Sequence, residues 1–440
     1  MHQFKHELSR NRKILIIGFF IALIGYDPGA MENSGSVTEK LVPSNVRITN
    51  SLSSGLEFAG LERTVSGFLK NWDLAGASVA VSRNGKLVYA RGFGFADKEA
   101  GIEIQPYNKF RIASISKLVT AVAIMKLQES GKLSVYERVF GPGGILNDSI
   151  FMHPRDKRAY DITVAHLLSH EGGWTTRWGD QMFMPVTVAE SMGMVPPVDT
   201  RTIVKFALGK YMHFTPGTGK SYSNLGYAIL GLVIEKVSGM TYEEYCKKEV
   251  LEPLGIYDMT LAKNLSSEKA PFEVNYYEPG DAVLKPSIYD TTKIVPASNG
   301  GNDIEALGGA GAWIATAPDL LKLLLAIDGF SSRADILSDS SISFMTDNNN
   351  GYAPVGWKTT IMDGNWWRTG TFPGSACMIK RQPDGTAWAV LLNSSAWNGP
   401  EISASVNYMM MRALSHVKQW PDIDLFNNSV PIPLKEDVNF

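Results

Sequence analysis

Cysteine is scarce in this 440-residue chain, and neither sign of charge dominates it. The two cysteines, Cys246 and Cys377, allow one disulfide at most, and their spacing alone does not decide whether it forms. The formal net charge is −2 and no long stretch is strongly basic, so nucleic acid is not an expected partner. No Cys/His cluster has zinc-finger spacing and no HExxH motif occurs, so we expect neither a metal nor a cofactor.

Two local patterns limit the chemistry further. The chain has no G-x-S-x-G elbow, which argues against the α/β-hydrolase way of exposing a nucleophilic serine. His166 and His170 stand four residues apart and could share one face of a helix, a spacing that suits a metal ion. Because no third ligand is evident, we interpret both histidines as structural.

The N-terminus has the pattern of a targeting segment. A positively charged start precedes an uncharged, mostly apolar stretch, residues 14–26, about as long as the apolar core of a signal peptide. This stretch is shorter than the roughly 20 residues that span a bilayer, although an uncleaved anchor is the alternative. We therefore expect residues 1–35 to be a signal peptide or membrane anchor and residues 36–54 to be a linker. The predicted location is periplasmic or extracellular, with residues 14–26 as a candidate membrane tether.

Apolar spacing and turn signals predict regular structure near both ends of the chain. Apolar residues at helical spacing indicate helices, and Asn84-Gly85 is a typical hairpin turn. Thr241 and Glu244 form a capping box that opens a further helix. The predicted elements are a helix at about 57–70, a hairpin at 76–97, helices at 115–130, 225–237, 318–327 and 402–414, and a hairpin at 376–392.

These elements predict an α/β (α+β) fold class. An antiparallel sheet flanked by helices would be assembled from residues 55–135 and 303–416, two parts of one discontinuous domain. Residues 136–302 would form an inserted, mainly helical lobe, in which the Pro- and Gly-rich stretch 264–307 would be loops. The last residues, 417–440, have little pattern and are expected to form a tail.

The motif Ser114-Ile115-Ser116-Lys117 opens a predicted apolar helix. A helix brings residues three apart onto one face, so the serine hydroxyl and the lysine amine can touch. Serine becomes a nucleophile when a base takes its proton, and lysine can do so where its surroundings lower its pKa from about 10.4. Two other S-x-x-K motifs, at 266–269 and 415–418, do not open an apolar helix, so Ser114 and Lys117 are the catalytic candidates.

A second motif, Tyr222-Ser223-Asn224, is the only Y-x-N among the 16 tyrosines. A tyrosine near a lysine can exist partly as phenolate and relay a proton. Asparagine offers both a donor and an acceptor to a substrate amide. The alternative is that these residues only cap the N-terminus of a helix.

A third motif, Arg368-Thr369-Gly370-Thr371, is the only basic–Thr/Ser–Gly triplet in the chain and precedes an apolar hairpin. A cation at this position could hold a substrate carboxylate or the oxyanion. The glycine would let an edge strand approach the substrate closely. The alternative is a simple turn into a strand.

In this order, the three motifs resemble the S-x-x-K, Y-x-N and [K/H]-[T/S]-G pattern of class C β-lactamases, DD-peptidases and related esterases. The resemblance covers about residues 57–415 and implies a β-lactamase/transpeptidase-like fold. Further matching stretches are Phe110-Arg111-Ile112-Ala113, 162–170, Phe214-Thr215-Pro216-Gly217, Pro253-Leu254-Gly255-Ile256, 308–311 and 316–320.

The resemblance also implies roles for the motif residues. Ser114 would attack a carbonyl and form an acyl-enzyme, with Lys117 and Tyr222 sharing the general-base role. Asn224 would orient the acyl amide, and the backbone N–H groups of Ser114 and Thr371 would form the oxyanion hole. The partner would be a small molecule or peptide with a scissile amide or ester. The expected substrate-binding residues are Asn224, Arg368, Thr369, Gly370 and Thr371.

One residue departs from the family pattern, which usually has Lys or His where this chain has Arg368. Arginine stays charged and has a planar donor fork, so it can bind a carboxylate but cannot transfer a proton as histidine does. The sequence therefore predicts an exported serine hydrolase and leaves open whether it is a peptidase, an esterase or a β-lactamase. The alternative function is a non-catalytic binding or regulatory protein that keeps the fold.

Overall fold

The centre of the structure, a computed structural model, is a seven-stranded antiparallel sheet. Residues 46–360, 363–427 and 430–431 are described. The strands are β1 Val46–Arg47, β2 Gly76–Arg83, β3 Lys86–Asp97, β4 Ile102–Glu103, β5 Phe110–Arg111, β6 Thr260–Leu261, β7 Lys285–Pro286, β8 Ile294–Val295, β9 Trp313–Ala315, β10 Thr359–Thr360, β11 Trp366–Phe372, β12 Ser375–Arg381, β13 Thr386–Leu392 and β14 Val430–Pro431. The α-helices are α1 Ala59–Asn71, α2 Ser116–Glu129, α3 Val164–Leu168, α4 Pro185–Ser191, α5 Thr200–Leu208, α6 Asn224–Ser238, α7 Tyr242–Cys246, α8 Ala317–Leu325, α9 Asp339–Thr346 and α10 Ile402–Ser415.

The order of strands in the main sheet is β10-β11-β12-β13-β2-β3-β4. Strands from the two ends of the chain meet where β13 pairs with β2, with Leu392 opposite Ala77. The expected antiparallel sheet built from both termini is therefore confirmed. The described residues from Val46 onward belong to one compact unit, and the predicted boundaries at 136 and 302 stay predictions.

Two tight hairpins fix the register of this sheet. Asn84 and Gly85 both have positive φ, 47° and 78°, as the predicted two-residue turn between β2 and β3 requires. The second hairpin joins β12 to β13 through Gln382–Gly385, and Gly385 has φ of 78°. Both turns lie where the sequence predicted them.

The sheet is covered on both faces. On one face, α1 and α10 bury a core that includes Leu61, Phe68 and Met410 against the side chains of β2 and β13. On the other face, a larger core includes α2, α6 and α8. Most of α2 is buried, which explains why its sequence is apolar on all sides and not on one stripe.

The middle of the chain combines short helices with irregular segments. Helices α3 to α7 lie there, and α6 packs on α2. The capping box of Thr241 and Glu244 at the start of α7 is confirmed. The stretch expected to be loops, 264–307, also contains the two-residue strands β7 and β8.

The predicted linker is wrong for its last residues, because these pack on the sheet. Asn50 accepts a hydrogen bond from the Gly92 amide at 2.7 Å and donates to the Ile104 carbonyl at 2.9 Å. Part of the predicted tail is also ordered, since the Leu425 amide donates to the Leu87 carbonyl at 2.8 Å. Single polar contacts of this kind leave no periodic pattern in the sequence.

Some predictions fall outside the described residues or remain untested. The signal peptide or anchor at 1–35 lies outside the described residues. Among the residues that the structure does describe, no helix is both long and apolar enough to cross a bilayer. Cys246 and Cys377 are both buried and free, so the disulfide that the sequence left open is not formed.

Candidate active site

Ser114 lies where the chain turns from β5 into α2. It is the central residue of a short 3₁₀ turn, Ala113–Ile115, directly before the helix. Ala113 has φ of +47°, a left-handed conformation that is uncommon for residues other than glycine. The turn places Ser114 at the positive end of α2, where negative charge on its oxygen is favoured.

Lys117 lies one turn after Ser114 and is completely buried. Its Nζ donates to the Asn224 side-chain oxygen at 2.7 Å and to the Ala310 carbonyl at 2.5 Å, and it lies 3.4 Å from the Ser114 hydroxyl. Burial, reinforced by the charge of Arg368 and partly opposed by Tyr222, lowers the pKa of Lys117 to about 8. The lysine can therefore share a proton near neutral pH.

Tyr222 completes the group around the serine. Its hydroxyl is 2.5 Å from the Ser114 Oγ and accepts from Arg368 Nη2 at 3.2 Å. The side chain is 41% exposed, so it borders open space while its hydroxyl is enclosed by charged groups. Burial acts to raise its pKa, but the positive charges of Lys117 and Arg368 outweigh that effect and lower the pKa to about 8.

Asn224 is the first residue of α6 and links the lysine to the helical part of the chain. Its Oδ1 accepts from Lys117, and its Nδ2 donates to the Asp180 carboxylate at 2.7 Å. Ser223 caps this helix, because its side chain accepts a hydrogen bond from the Gly226 amide at 3.0 Å. Tyr222 and Asn224 do not cap it. The capping alternative for the Y-x-N motif therefore applies only to its central residue.

The Arg368 side chain is buried next to the backbone of Ser114. It is 3% exposed and donates from Nε to the Ser114 carbonyl at 2.8 Å and from Nη1 to the Trp357 carbonyl at 3.3 Å. Its Nη2 also donates to the Tyr222 hydroxyl, so each of the three guanidinium nitrogens donates to an oxygen of the protein. The sequence predicted a substrate carboxylate or the oxyanion as partner, whereas the structure gives the guanidinium partners within the protein. Successive side chains of β11 point to opposite faces of the sheet, so Arg368 is buried whereas Thr369 and Thr371 are half-buried.

Gly370 lies directly against the segment that carries the nucleophile. A Cβ at this position would be 2.2 Å from the Ile112 carbonyl oxygen and 3.0 Å from the Ser114 amide nitrogen. The glycine is thus required by the protein's own backbone. Among the described strands, β10 pairs only with Trp366 and Trp367, so the rest of β11 is open on that side as an edge strand would be.

Two residues near the site had no assigned catalytic role in the sequence. Asp180 has no motif around it, and only its bond to Asn224 reveals it. His170 has φ of +65° and its ring centroid is 4.7 Å from that of Tyr222. Burial and the charges of Arg368 and Lys117 lower the pKa of His170 well below its usual value, which favours the uncharged ring.

The two histidines do not share a helix face as the spacing suggested. Helix α3 ends at Leu168, and His166 belongs to its capping box with Thr163. The His170 Nδ1 accepts from the Ser223 amide at 3.2 Å instead. In the part of the chain that is described, no three His, Cys, Asp or Glu side chains are grouped as a metal site requires.

The antiparallel sheet, the helices that cover it and the site around Ser114 are features of one class of proteins. They place the chain among the penicillin-binding and β-lactamase-like proteins. The chain belongs to the Beta-lactamase family, whose family model matches residues 61–408. It is similar to the putative penicillin-binding protein PbpX of Bacillus subtilis, with 28% identity over 235 residues, 53% of each chain. It is also similar to protein flp of Staphylococcus aureus, with 28% identity over 209 residues, 46% of this chain and 38% of flp. The matched regions thus span about half or less of these relatives.

Solved structures agree with this family. The octameric penicillin-binding protein homologue from Pyrococcus abyssi superposes with a TM-score of 0.59 at 25% identity, covering 83% of this chain and 79% of the homologue. FmtA from Staphylococcus aureus superposes with a TM-score of 0.61 at 19% identity, covering 88% of this chain and 94% of FmtA. At this identity, the likeness to FmtA concerns the fold.

Proposed function

We propose that this chain is an exported serine hydrolase that cleaves an amide or ester through an acyl-enzyme on Ser114. One observation carries the proposal: the Ser114 hydroxyl lies 2.5 Å from the Tyr222 hydroxyl and 3.4 Å from Lys117 Nζ. A serine between two groups that exchange protons near neutral pH has the arrangement that nucleophilic catalysis needs. Membership of the Beta-lactamase family supports the same chemistry.

Tyr222 is the better placed of the two candidate bases. Its oxygen is closer to the Ser114 Oγ than the lysine nitrogen is. Lys117 donates to two neutral oxygen acceptors, those of Asn224 and Ala310, which favours its charged form. We therefore assign the direct proton transfer to Tyr222 and electrostatic support of its phenolate to Lys117 and Arg368.

The proposed reaction has two halves. The Ser114 oxygen bonds to the substrate carbonyl carbon while its proton passes to the Tyr222 oxygen. The tetrahedral intermediate then collapses, the bond to the leaving amine or alcohol breaks, and Tyr222 returns the proton to that group. Water next attacks the acyl carbon, giving one proton through Tyr222 to the departing Ser114 oxygen. The backbone N–H groups of Ser114 and Thr371 are the proposed oxyanion donors.

A substrate panel with variants tests this proposal. Short p-nitrophenyl esters, a D-Ala-D-Ala peptide and nitrocefin cover the ester, peptide and β-lactam classes that the sequence left open. We expect the protein to hydrolyse at least one of them and Ser114→Ala to abolish the activity. Ser266→Ala is the matched control, because Ser266 begins an S-x-x-K motif on an exposed turn. Activity that survives in Ser114→Ala would contradict the assignment, and inactivity on the whole panel together with no fluorophosphonate labelling of Ser114 would favour the binding-protein alternative.

Export is proposed from the charge and hydropathy of residues 1–35 alone. Expression in a bacterial host, followed by fractionation and mass spectrometry of the N-terminus, separates three results. A mature protein that begins near residue 30 indicates a cleaved signal, and an intact chain in the membrane pellet indicates a tether through residues 14–26. An intact chain in the cytosol contradicts export.

A further inference from the structure

Asp180 presents a carboxylate to the hydrogen-bond network of the candidate nucleophile. It precedes a short 3₁₀ helix, Gln181–Phe183, and its Oδ1 accepts from the Met182 amide at 3.0 Å. Its Oδ2 accepts from Asn224 Nδ2 at 2.7 Å. These two bonds fix the orientation of the carboxylate, and a carboxylate has about four lone-pair sites, so acceptor capacity remains.

The carboxylate is connected to Ser114 through two side chains. Asn224 accepts from Lys117 at 2.7 Å, and Lys117 Nζ is 3.4 Å from the serine hydroxyl. The Asn224 amide is the group expected to contact the acyl part of a substrate. Asp180 therefore lies on the acyl side of the site, and its charge acts on Lys117.

An aromatic side chain follows this carboxylate three residues later in the chain. Phe183, at the end of the same short helix, forms an edge-to-face pair with Phe372, with ring centroids 6.1 Å apart. Phe372 directly follows Thr371, at the end of β11. Phe372 is 6% exposed and therefore only backs the half-buried Phe183 ring, which is the apolar side chain that the segment 180–183 leaves partly open on the same turn as Asp180.

A neutral acylamino group suits this region poorly. Its carbonyl oxygen would compete with Asp180 for the Asn224 amide donor, and it would lie close to a carboxylate. An ammonium group instead donates to the remaining lone pairs of Asp180 and leaves the Asn224 bond in place. An α-amino group is one carbon away from the scissile carbonyl, on its acyl side.

We propose that Asp180, with the half-buried Phe183, selects acyl groups that carry a free α-ammonium and an apolar side chain. The substrate class is then aminoacyl esters or amides. This inference rests on the proposed function, because it assigns the substrate of the same site.

Paired substrates test the inference. We compare leucine methyl ester with N-acetyl-leucine methyl ester, in both enantiomers, at pH 6.5, where the amine is largely protonated because α-amino groups have pKa values of about 8. The unmodified protein is expected to favour the free-amine ester by at least about tenfold in kcat/KM. This comparison does not depend on the folding of any variant. An equal or higher kcat/KM for the acetylated ester would overturn the inference.

Variants identify the residue responsible. Asp180→Asn should lower kcat/KM for the free-amine ester by about tenfold to a hundredfold, while the acetylated ester changes by less than about threefold. Equal losses on both esters would mean that Asp180 only positions Asn224. Asp199→Asn is the matched control, because Asp199 is another helix cap, accepting from the Thr202 amide at 2.8 Å, and is not in the site.

The failure of this inference differs from failure of the proposed function. If a fluorophosphonate labels Ser114 and the acetylated ester is the better substrate, the serine hydrolase stands and the amine selectivity is wrong. If Ser114 is not labelled and neither ester is cleaved, the proposed function itself fails and the amine selectivity fails with it.

Discussion

The Arg368 guanidinium donates to the Tyr222 hydroxyl at 3.2 Å. The sequence suggested that a cation at this position would face the substrate, but here it lies under the candidate catalytic group. Because arginine does not lose its proton at accessible pH, it supplies a constant positive charge. That charge lowers the pKa of both Tyr222 and Lys117.

Removing this charge should shift the pH dependence of the reaction. The active form needs one proton removed from the coupled Lys117–Tyr222 pair, so kcat/KM should be bell-shaped and centred near pH 8. Since Arg368 lowers both pKa values, Arg368→Gln should raise them and move the acidic limb to higher pH by roughly one unit. The measurement is kcat/KM for a neutral ester between pH 5 and 10.

Arg368→Lys is the control for that shift, because it keeps a positive charge in place. It should move the acidic limb less than Arg368→Gln does. Superimposable profiles for the unmodified protein and Arg368→Gln would show that the arginine does not tune the pair.

Truncating the buried lysine should slow acylation. Lys117→Ala removes the charge that supports the phenolate and leaves the Asn224 and Ala310 oxygens without their donor. We expect acylation to slow by roughly 10² to 10⁴, measured by stopped-flow with a chromogenic ester. Lys126→Ala in the same helix, whose Nζ donates to the Ile336 carbonyl at 3.3 Å, should keep the normal rate. An unchanged rate in Lys117→Ala would remove the lysine from the mechanism.

Tyr222→Phe should be at least as damaging as Lys117→Ala, because the phenol is the direct proton acceptor in our assignment. Tyr227→Phe provides a comparison five residues further along the chain, in α6. The Tyr227 hydroxyl donates to the Leu168 carbonyl at 2.9 Å and accepts from the Gly356 amide at 3.0 Å, so its loss should cost stability, about 1–2 kcal/mol, and little acylation. Faster acylation by Tyr222→Phe than by Lys117→Ala would reverse the assigned roles.

Gly370→Ala should disturb both stability and activity. Its Cβ would be 2.2 Å from the Ile112 carbonyl, so β11 must move away from the nucleophile segment, at a cost of about 1–3 kcal/mol. Gly67→Ala in α1 is the matched control, since among the described residues no atom outside the helix's own backbone and the two chain neighbours lies within 4 Å of the new Cβ, and alanine favours a helix by about 0.5–1 kcal/mol. Urea unfolding midpoints and acylation rates measure both effects. A normal midpoint and rate in Gly370→Ala would contradict this close approach.

Much of the fold could be predicted because its signals are local. Asn84-Gly85 specifies a hairpin by its backbone preferences, and the uniformly apolar α2 could only be a buried helix. Three short motifs also indicated residues that the structure brings together, namely Ser114, Lys117 and Tyr222. Each motif carries little information by itself, and their order along the chain supplied the rest.

Other features could not be predicted because they depend on distant partners. The direction of the Arg368 side chain follows from the pleat of β11 and from carbonyl groups at 114 and 357. Asp180 resembles any helix-capping acid until Asn224, 44 residues later, is placed beside it. The packing of Asn50 on the sheet likewise depends on individual hydrogen bonds, which leave no periodic pattern in the sequence.

The most direct test of Ser114 as the nucleophile is to trap a covalent adduct on the protein and find which residue carries it. The intact protein is treated with a fluorophosphonate, weighed by mass spectrometry, digested and mapped. We predict a single adduct on Ser114, the same adduct in Ser266→Ala, and none in Ser114→Ala. An adduct on a different residue, or undiminished labelling of Ser114→Ala, would contradict the assignment of Ser114 as the nucleophile.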